Sequence, residues 1–363
     1  MNIGIPKESR PFEYRVGLSP AGVEILSNGG HRVFVEHEAG MSAGFKDSDY
    51  EKSGARIAYS PQEVFGRADL LLKISRPLMR EIEWMKDEST LAGFLHLASS
   101  SQDQIDLLLE KKITALAYEQ IVDAGGRRVV LRPFSLICGA MVMPIAARFL
   151  QTNRGGRGIL LSGVPGVPPA EVVIIGGGAV GSSAARAMQN AGAHVTVLDR
   201  NMAALESISE KLPGVVTMLA TTRNIGRATA YADVLLGAVL VSGQRAPVVV
   251  TRELVRAMKP RSVIIDVSID EGGCIETSRP TMHDNPTYIE ENMVHYCVPN
   301  ISSVVARTAS HVLANAAGPY ITEIANRGIV AAMESDPSVR VAINTHQGKL
   351  VNLVRLQGGE AQE

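Results

Sequence analysis

Cysteine is scarce in this chain. Three residues, Cys138, Cys274 and Cys297, lie far apart in 363 positions. An odd, dispersed set excludes a disulfide framework and has no zinc-ligand spacing, so the thiols read as reduced and intracellular. Charge of either sign is also lacking in excess: the net charge is −1, and no segment concentrates Lys and Arg. Nucleic acid is therefore not an expected partner. Long apolar runs are absent too. The most apolar stretch, Leu136 to Leu150, is short of a span and ends near Arg148, so no membrane association is expected. The chain opens on a strand-like segment, Asn2 to Pro6, not on a basic region with an apolar signal core. The expectation is a cytoplasmic enzyme.

What is present is an ordinary globular composition, 45% hydrophobic and 20% charged, on a chain long enough for two domains. Short apolar strands alternate with amphipathic helical stretches, the pattern of an α/β protein with parallel sheets. Strands are expected at Ile3-Gly4-Ile5, Arg32–Glu36, Asp69–Lys73, Leu91–Leu95 and Thr114–Tyr118. A helix is expected over Pro20–Ser27, with Ser19 as N-cap and Pro20 at its first position. A long apolar helix follows at about Cys138–Thr152, then a Gly- and Pro-rich loop from Arg154 to Pro169. Further strands are expected at Val215–Leu219, Val234–Ala238 and Val263–Val267, and helices at Val304–Asn326 and Ile329–Glu334.

The densest signal is Glu171-Val172-Val173-Ile174-Ile175-Gly176-Gly177-Gly178-Ala179-Val180-Gly181. An apolar strand runs into Gly-x-Gly-x-x-Gly, a helical segment follows (Ser182 to Ala191), and a second strand ends at Asp199. This is a dinucleotide-binding fingerprint in its βαβ setting, with an acid about 20 residues on. Gly176 permits the tight turn, Gly178 lets the backbone approach a diphosphate, and Gly181 lets helix and strand pack closely. The diphosphate would sit at the helix N-terminus, where free N–H groups favour negative charge. Asp199 would accept the ribose hydroxyls and repel a 2′-phosphate, which favours NAD over NADP. Arg200 works against that preference without reversing it.

Three polar residues sit where strands of the first part run out: Arg15, Lys73 and His96. Two cations and an imidazole suit an anionic substrate, the cations holding a carboxylate and the imidazole exchanging protons near neutrality. Each also has a plain structural reading: a salt-bridge partner for Arg15, a solvated strand end for Lys73, a hydrogen-bonded structural imidazole for His96. Asp270, in the loop after the strand ending at Asp266, falls on the carboxyl edge of the sheet, where ligands bind in open α/β folds. It reads equally as a site carboxylate or as a cap of the following turn. Asp266 reads as structural.

Read together, these segments resemble the family of alanine dehydrogenase, which also includes the NAD-binding subunit of the proton-translocating transhydrogenase. The likeness rests on Ile3 to Glu8, Tyr14 to Pro20, Leu71-Leu72-Lys73, Phe94 to Ala98, Ala117-Tyr118-Glu119, Gly155 to Gly158 and Gly163 to Val167. It continues through Gly237 to Leu240, Asp270 to Gly273, Ser278 to Thr281 and Tyr296 to Asn300, spanning nearly the whole chain in order. The resemblance implies two Rossmann-like domains with parallel sheets, the NAD domain inserted between two parts of the substrate domain. The expected boundaries are residues 1–130 and 303–363 for the substrate domain and 131–302 for the NAD domain, with a cleft between them. It further implies reversible oxidative deamination of L-alanine to pyruvate, ammonium and NADH. The same chemistry on another 2-amino acid, imine or 2-oxo acid is the alternative.

Carried over by motif, Arg15 and Lys73 hold the substrate carboxylate, and His96 and Asp270 are the catalytic pair. On the cofactor side the family pattern implies Ser135, Ala179, Val180, Asp199, Val239, Leu240, the loop Val267, Ser268, Ile269 to Asp270, Arg279, and the segment Val298, Asn300 and Ile301, besides Gly176, Gly178 and Gly181. A homo-oligomer, hexamer or dimer, is implied by the family alone. The transhydrogenase branch is disfavoured by the lack of membrane segments and by Phe94-Leu95-His96. A non-catalytic NAD-binding protein would be recognised by producing no NADH with any amino acid. The chain departs from the family pattern at Leu136, where relatives carry Glu, and after Asn300. There Ser302-Ser303-Val304-Val305-Ala306 replaces a loop with two prolines. Prolines limit a loop's alternatives, and their loss allows another path or a larger pocket.

Overall fold

The computed structural model describes residues 1–241 and 245–354. It has two compact units, one of residues 1–134 with the described part of 303–363, the other of residues 135–302. Fifteen strands are described, in chain order. They are β1 Asn2–Ile5, β2 Arg32–Glu36, β3 Arg56–Ala58, β4 Leu70–Ser75, β5 Thr90–Phe94, β6 Thr114–Ala117, β7 Glu171–Ile175, β8 His194–Asp199, β9 Val216–Leu219, β10 Val234–Gly237, β11 Val263–Asp266, β12 Thr287–Glu290, β13 Met293–Tyr296, β14 Ile343–His346 and β15 Lys349–Leu350.

In the first unit the sheet order is β15-β14-β6-β5-β4-β1-β2-β3. From β3 to β6 every pairing is parallel, and β14 joins β6 antiparallel. In the second unit the order is β12-β13-β11-β10-β7-β8-β9, parallel except for the β12–β13 hairpin. Leaving out the antiparallel additions, each sheet has the 3-2-1-4-5-6 order of a doubly wound fold, with its switch point between the first and fourth strands. That switch lies between β1 and β4 in one unit and between β7 and β10 in the other.

The central strands are continuous apolar runs because helices cover both faces of a parallel sheet. Leu70, Leu71, Leu72 and Ile74 of β4 are buried, as are Val172 to Ile175 of β7 and Val263 to Ile265 of β11. The α/β architecture with two parallel-dominated, Rossmann-like sheets is thus the one that the alternating pattern predicts.

Boundaries differ from the sequence reading where propensity and packing disagree. The long apolar helix spans Leu131–Phe149, beginning seven residues before Cys138 and ending before Thr152, where a 3-10 turn Thr152–Arg154 takes over. The helix after the glycine motif starts at Ala179, not Ser182, because Gly178 is its N-cap. The segment from Ile301 to Val305 is a 3-10 turn, so the following helix, Ala306–Arg327, begins two residues later than Val304. Five strands had no clear sequence signal: β3, β12, β13, β14 and β15. The β12–β13 connection is two residues, Glu291 and Asn292, at φ 49° and 63°. Both are left-handed, as a two-residue hairpin of the I′ kind requires.

Of the described helices, Leu131–Phe149 is long and apolar enough to cross a membrane by length and composition, with mean hydropathy 1.2. It also carries Pro144 within it and Arg132 and Arg148 near its ends.

Candidate active site

In the first unit the polar residues collect at the carboxyl ends of β1, β4, β5 and β6, beside the switch point. Lys73 sits where the β4–β5 register shifts between Leu72 and Ser75. Such an irregularity re-aims the side chains of the strand that carries it. The chain carrying Arg15 passes against this spot. A Cβ on Gly17 would collide with the Leu72 carbonyl oxygen, so only glycine allows the approach. Val16 N–H donates to Ser310 Oγ at 3.1 Å, tying the same chain to the helix Ala306–Arg327.

Lys73 is not a solvated strand end. Its side chain is 1% exposed, and its ammonium lies 3.2 Å from Glu8 Oε2 and 3.3 Å from Glu81 Oε1. Burial pulls the ammonium's pKa down, but Glu8 and Glu81 together outweigh it, and Lys73 ends above its ordinary value. Both carboxylates are held from the other side. Glu8 Oε1 accepts Ile74 N–H at 2.6 Å, and Glu81 accepts Ser9 Oγ–H at 2.7 Å and Leu78 N–H at 2.8 Å. Burial nevertheless raises the Glu8 carboxyl, with Lys73 opposing.

Arg15 is buried and forked onto Glu13. Nε donates to Oε1 at 2.7 Å and Nη2 to Oε2 at 2.5 Å, while the guanidinium lies 5.6 Å from the Phe134 ring centroid. Burial pushes the Glu13 carboxyl up, but Arg15 and Ser75 overcome this and hold it below its ordinary range. Ser75 Oγ donates to Glu13 Oε2 at 2.9 Å, so β4 also orients the Arg15 pair.

His96 follows β5 and stands in the left-handed region, φ 43° and ψ 41°. A non-glycine residue adopts that conformation only when its surroundings impose it. Here Glu119, just after β6, imposes it: Oε1 accepts His96 N–H at 2.7 Å and Oε2 accepts Leu95 N–H at 3.2 Å. The imidazole is exposed and makes no hydrogen bond among the described residues. It is therefore not a hydrogen-bonded structural histidine. Arg15, Lys73 and His96 thus share one sheet edge. The residues that hold them, Glu8, Glu13, Glu81 and Glu119, had no role in the sequence reading. Their signal was available: Glu8 and Glu119 each follow the end of a parallel strand.

In the second unit the glycine motif has the expected geometry. Gly176 is at φ 108°, and a Cβ there would strike the Ala238 carbonyl oxygen. A Cβ on Gly181 would strike the Gly176 carbonyl oxygen, so helix and strand are in close contact. A Cβ on Gly178 meets nothing within 4 Å, leaving open space over the start of the helix Ala179–Asn190. Ala179, Val180 and Gly181 form its first turn. Asp199 ends β8 and turns back on the motif: Oδ2 accepts Gly177 N–H at 2.5 Å and Oδ1 accepts Asn201 N–H at 2.7 Å. An open helix N-terminus with an acid at the end of the second strand fits a dinucleotide, its diphosphate on the N–H groups and its ribose on the carboxylate.

The other expected cofactor residues gather after β10, β11 and β13. Val239 N–H donates to Ser268 Oγ at 2.9 Å, so the loops carrying Val239, Leu240 and Ser268 are pinned together. Val267, Ser268, Ile269 and Asp270 form a 3-10 turn, Val267–Glu271, directly after β11. Asp266 anchors it as a buried structural acid, accepting N–H from Ser268, Cys274 and Ile275 at 3.0, 2.9 and 3.1 Å. Burial raises its carboxyl, opposed by Ser278 and then by the Cys274 and Ile275 N–H groups. Asp270 itself is exposed. Arg279 is exposed and stacks over Tyr288 at 4.3 Å. Val298 and Ile301 are buried, Asn300 is left-handed at φ 56°, and Ser135 is half-buried on the helix Leu131–Phe149.

Comparisons with known proteins agree along the chain. Residues 4–138 match the family model described as the alanine dehydrogenase/PNT N-terminal domain, and residues 142–353 the alanine dehydrogenase/PNT C-terminal domain. An alanine dehydrogenase of Methanococcus maripaludis is 43% identical over 352 residues, covering 96% of this chain and 94% of its own. One from Bacillus subtilis is 42% identical, covering 96% and 92%. A solved L-alanine dehydrogenase superposes with TM-score 0.93 at 41% identity, covering 97% of each chain.

Proposed function

The chain belongs to the alanine dehydrogenase/PNT family, and from that premise we propose that it is an NAD-dependent amino acid dehydrogenase. Its reaction is the reversible oxidative deamination of L-alanine to pyruvate, ammonium and NADH. The observation that carries the reading is near full-length likeness to alanine dehydrogenases, together with an unpartnered, backbone-anchored His96 on the sheet edge that carries Lys73 and Arg15.

Arg15 and Lys73 would take the substrate carboxylate. The Lys73 ammonium donates one hydrogen bond, to Glu81 Oε1 at 3.3 Å, and faces Glu8 as an ion pair at 3.2 Å, which leaves N–H donors for a substrate carboxylate. His96, with a free ring, would exchange the proton of the imine, carbinolamine and carbonyl oxygen. Asp270 would receive the amine and orient the attacking water. In the second unit the open N-terminus at Gly178 would hold the diphosphate, and Asp199 the ribose. Ser135, Val239, Leu240, Arg279 and the segments 267–269 and 298–301 would line the rest. NAD, when bound, accepts the hydride from the substrate α-carbon; the protein supplies position and proton transfer. A cytoplasmic homo-oligomer, hexamer or dimer, completes the reading. The helix Leu131–Phe149, apolar but with only 22% of the residues in its most apolar window fully buried and with Leu136 exposed, supports a subunit contact.

The test is NADH formation with NAD and a panel of L-amino acids at alkaline pH, with the reverse assay on ammonium and the matching 2-oxo acids. Alanine turnover is expected. No NADH from alanine, nor from pyruvate with ammonium, would sink the reading.

A further inference from the structure

One cation at this sheet edge is not used by the roles above. Arg76 follows Lys73 by three residues, just past the end of β4, and is half-buried. Its Nη1 donates to neutral acceptors only: the His96 carbonyl oxygen at 3.4 Å, Ser99 Oγ at 3.4 Å and Ser100 Oγ at 3.0 Å. Nε is buried without a partner. Nη2 has none among the described residues either, and it is open to solvent. Arg10 donates Nε–H to the Arg76 carbonyl oxygen at 2.9 Å, which brings a second cation to the same place. Neither guanidinium forms an ion pair among the described residues, whereas Arg15 has Glu13 and Lys73 has Glu8 and Glu81. Glu119, the carboxylate that acts on Arg76, is committed to the backbone of Leu95 and His96. Burial and then Arg10 pull the Arg76 pKa down to about 10, against Glu119.

A guanidinium taken partly out of water without an ion-pair partner bears a desolvation cost that the attraction of Glu119 only partly offsets. Holding the loop 96–100 needs only Nη1, and a neutral donor would serve. Nη2, unpartnered and not buried, is the donor that can take a carboxylate oxygen. We infer that Arg76, backed by Arg10, is a second anion subsite beside His96. It takes a carboxylate on the substrate's side chain, so the site accepts a 2-amino dicarboxylate or its 2-oxo counterpart. The inference rests on the reading above that Arg15 and Lys73 hold the α-carboxylate.

Its test does not depend on turnover. The full chain is titrated calorimetrically with succinate and with propionate, which differ by one carboxylate. Wild type is expected to bind succinate at least about tenfold tighter, the range for one charge-assisted hydrogen bond. Arg76→Gln should close that gap, and Arg76→Lys, which keeps the charge without the guanidinium, should narrow it several-fold. Equal binding of the two acids by wild type, no binding of succinate, or a gap that survives Arg76→Gln would each overturn the inference. Should Arg76→Gln not fold, an unchanged gap in Arg76→Lys does the same. Alanine turnover by wild type, measured alongside, judges the dehydrogenase reading separately.

Discussion

Replacing Lys73 by methionine keeps the length of the side chain and removes its charge. What remains is two carboxylates, Glu8 and Glu81, that had faced one ammonium at 3.2 and 3.3 Å with side chains at most 3% exposed. Each can stay ionised without its partner or take up a proton. Neutralising a glutamate of ordinary pKa about 4.3 costs about 5 kcal/mol at pH 8 and about 1 kcal/mol at pH 5. The first figure is a ceiling for each group, because Ser9 and Leu78 still donate to Glu81, and Ile74 still donates to Glu8. Breaking a buried pair by removing one partner costs about 3–5 kcal/mol in measured cases, which lies within that ceiling.

The sign with pH follows from Glu8, whose carboxyl burial already raises. An acid raised in the folded state contributes stability below its unfolded pKa and loses it as pH rises through the folded one. Without Lys73, which holds Glu8 down, that loss deepens. Lys73→Met should therefore lower the Tm of the first unit by about 6–20 °C at pH 8, at about 2–4 °C per kcal/mol for a unit of this size. The difference from wild type should shrink by more than half at pH 5. Calorimetric melts of both proteins at the two pH values measure it. A Tm within 2 °C of wild type at pH 8, or a deficit equally large at pH 5, would refute the buried ion-pair account of Lys73.

Glu119→Gln leaves one of the Leu95 and His96 N–H groups facing an amide NH2. It should cost about 1–3 kcal/mol in stability and lower kcat by about tenfold or more as His96 leaves its left-handed conformation, read by melts and steady-state rates. Asp199→Ala should weaken NAD binding by about tenfold and narrow the preference over NADP; an unchanged cofactor ratio removes Asp199 from the ribose. Gly181→Ala drives a methyl group against the Gly176 carbonyl oxygen. It should abolish dinucleotide binding in a fluorescence titration with NADH, while the helix Ala179–Asn190 still forms by circular dichroism.

Local chemistry determined much of this protein in advance. Apolar runs of strand length between amphipathic helices can close only into parallel sheets. Gly176 and Gly181 each answer a steric demand that a single turn imposes, and Gly178 leaves the helix start open, so the motif was legible. Likewise Lys73 and His96 stand near the carboxyl ends of β4 and β5, which the topology sends to one edge, and Arg15 reaches it from the loop between β1 and the helix starting at Pro20. Tertiary structure alone decided what those residues face. No spacing along the chain shows that Glu8, Glu81 and Lys73 meet, because they come together only when β1 and β4 pair as neighbours at the switch point. The left-handed turn at His96 depends on Glu119, 23 residues away, and β14 exists as a strand because β6 offers it a free edge. Charge is read residue by residue from a sequence. Whether a charge is paired, buried or left without a partner, as Lys73, Glu8 and Arg76 respectively show, is a property of neighbours that only folding supplies.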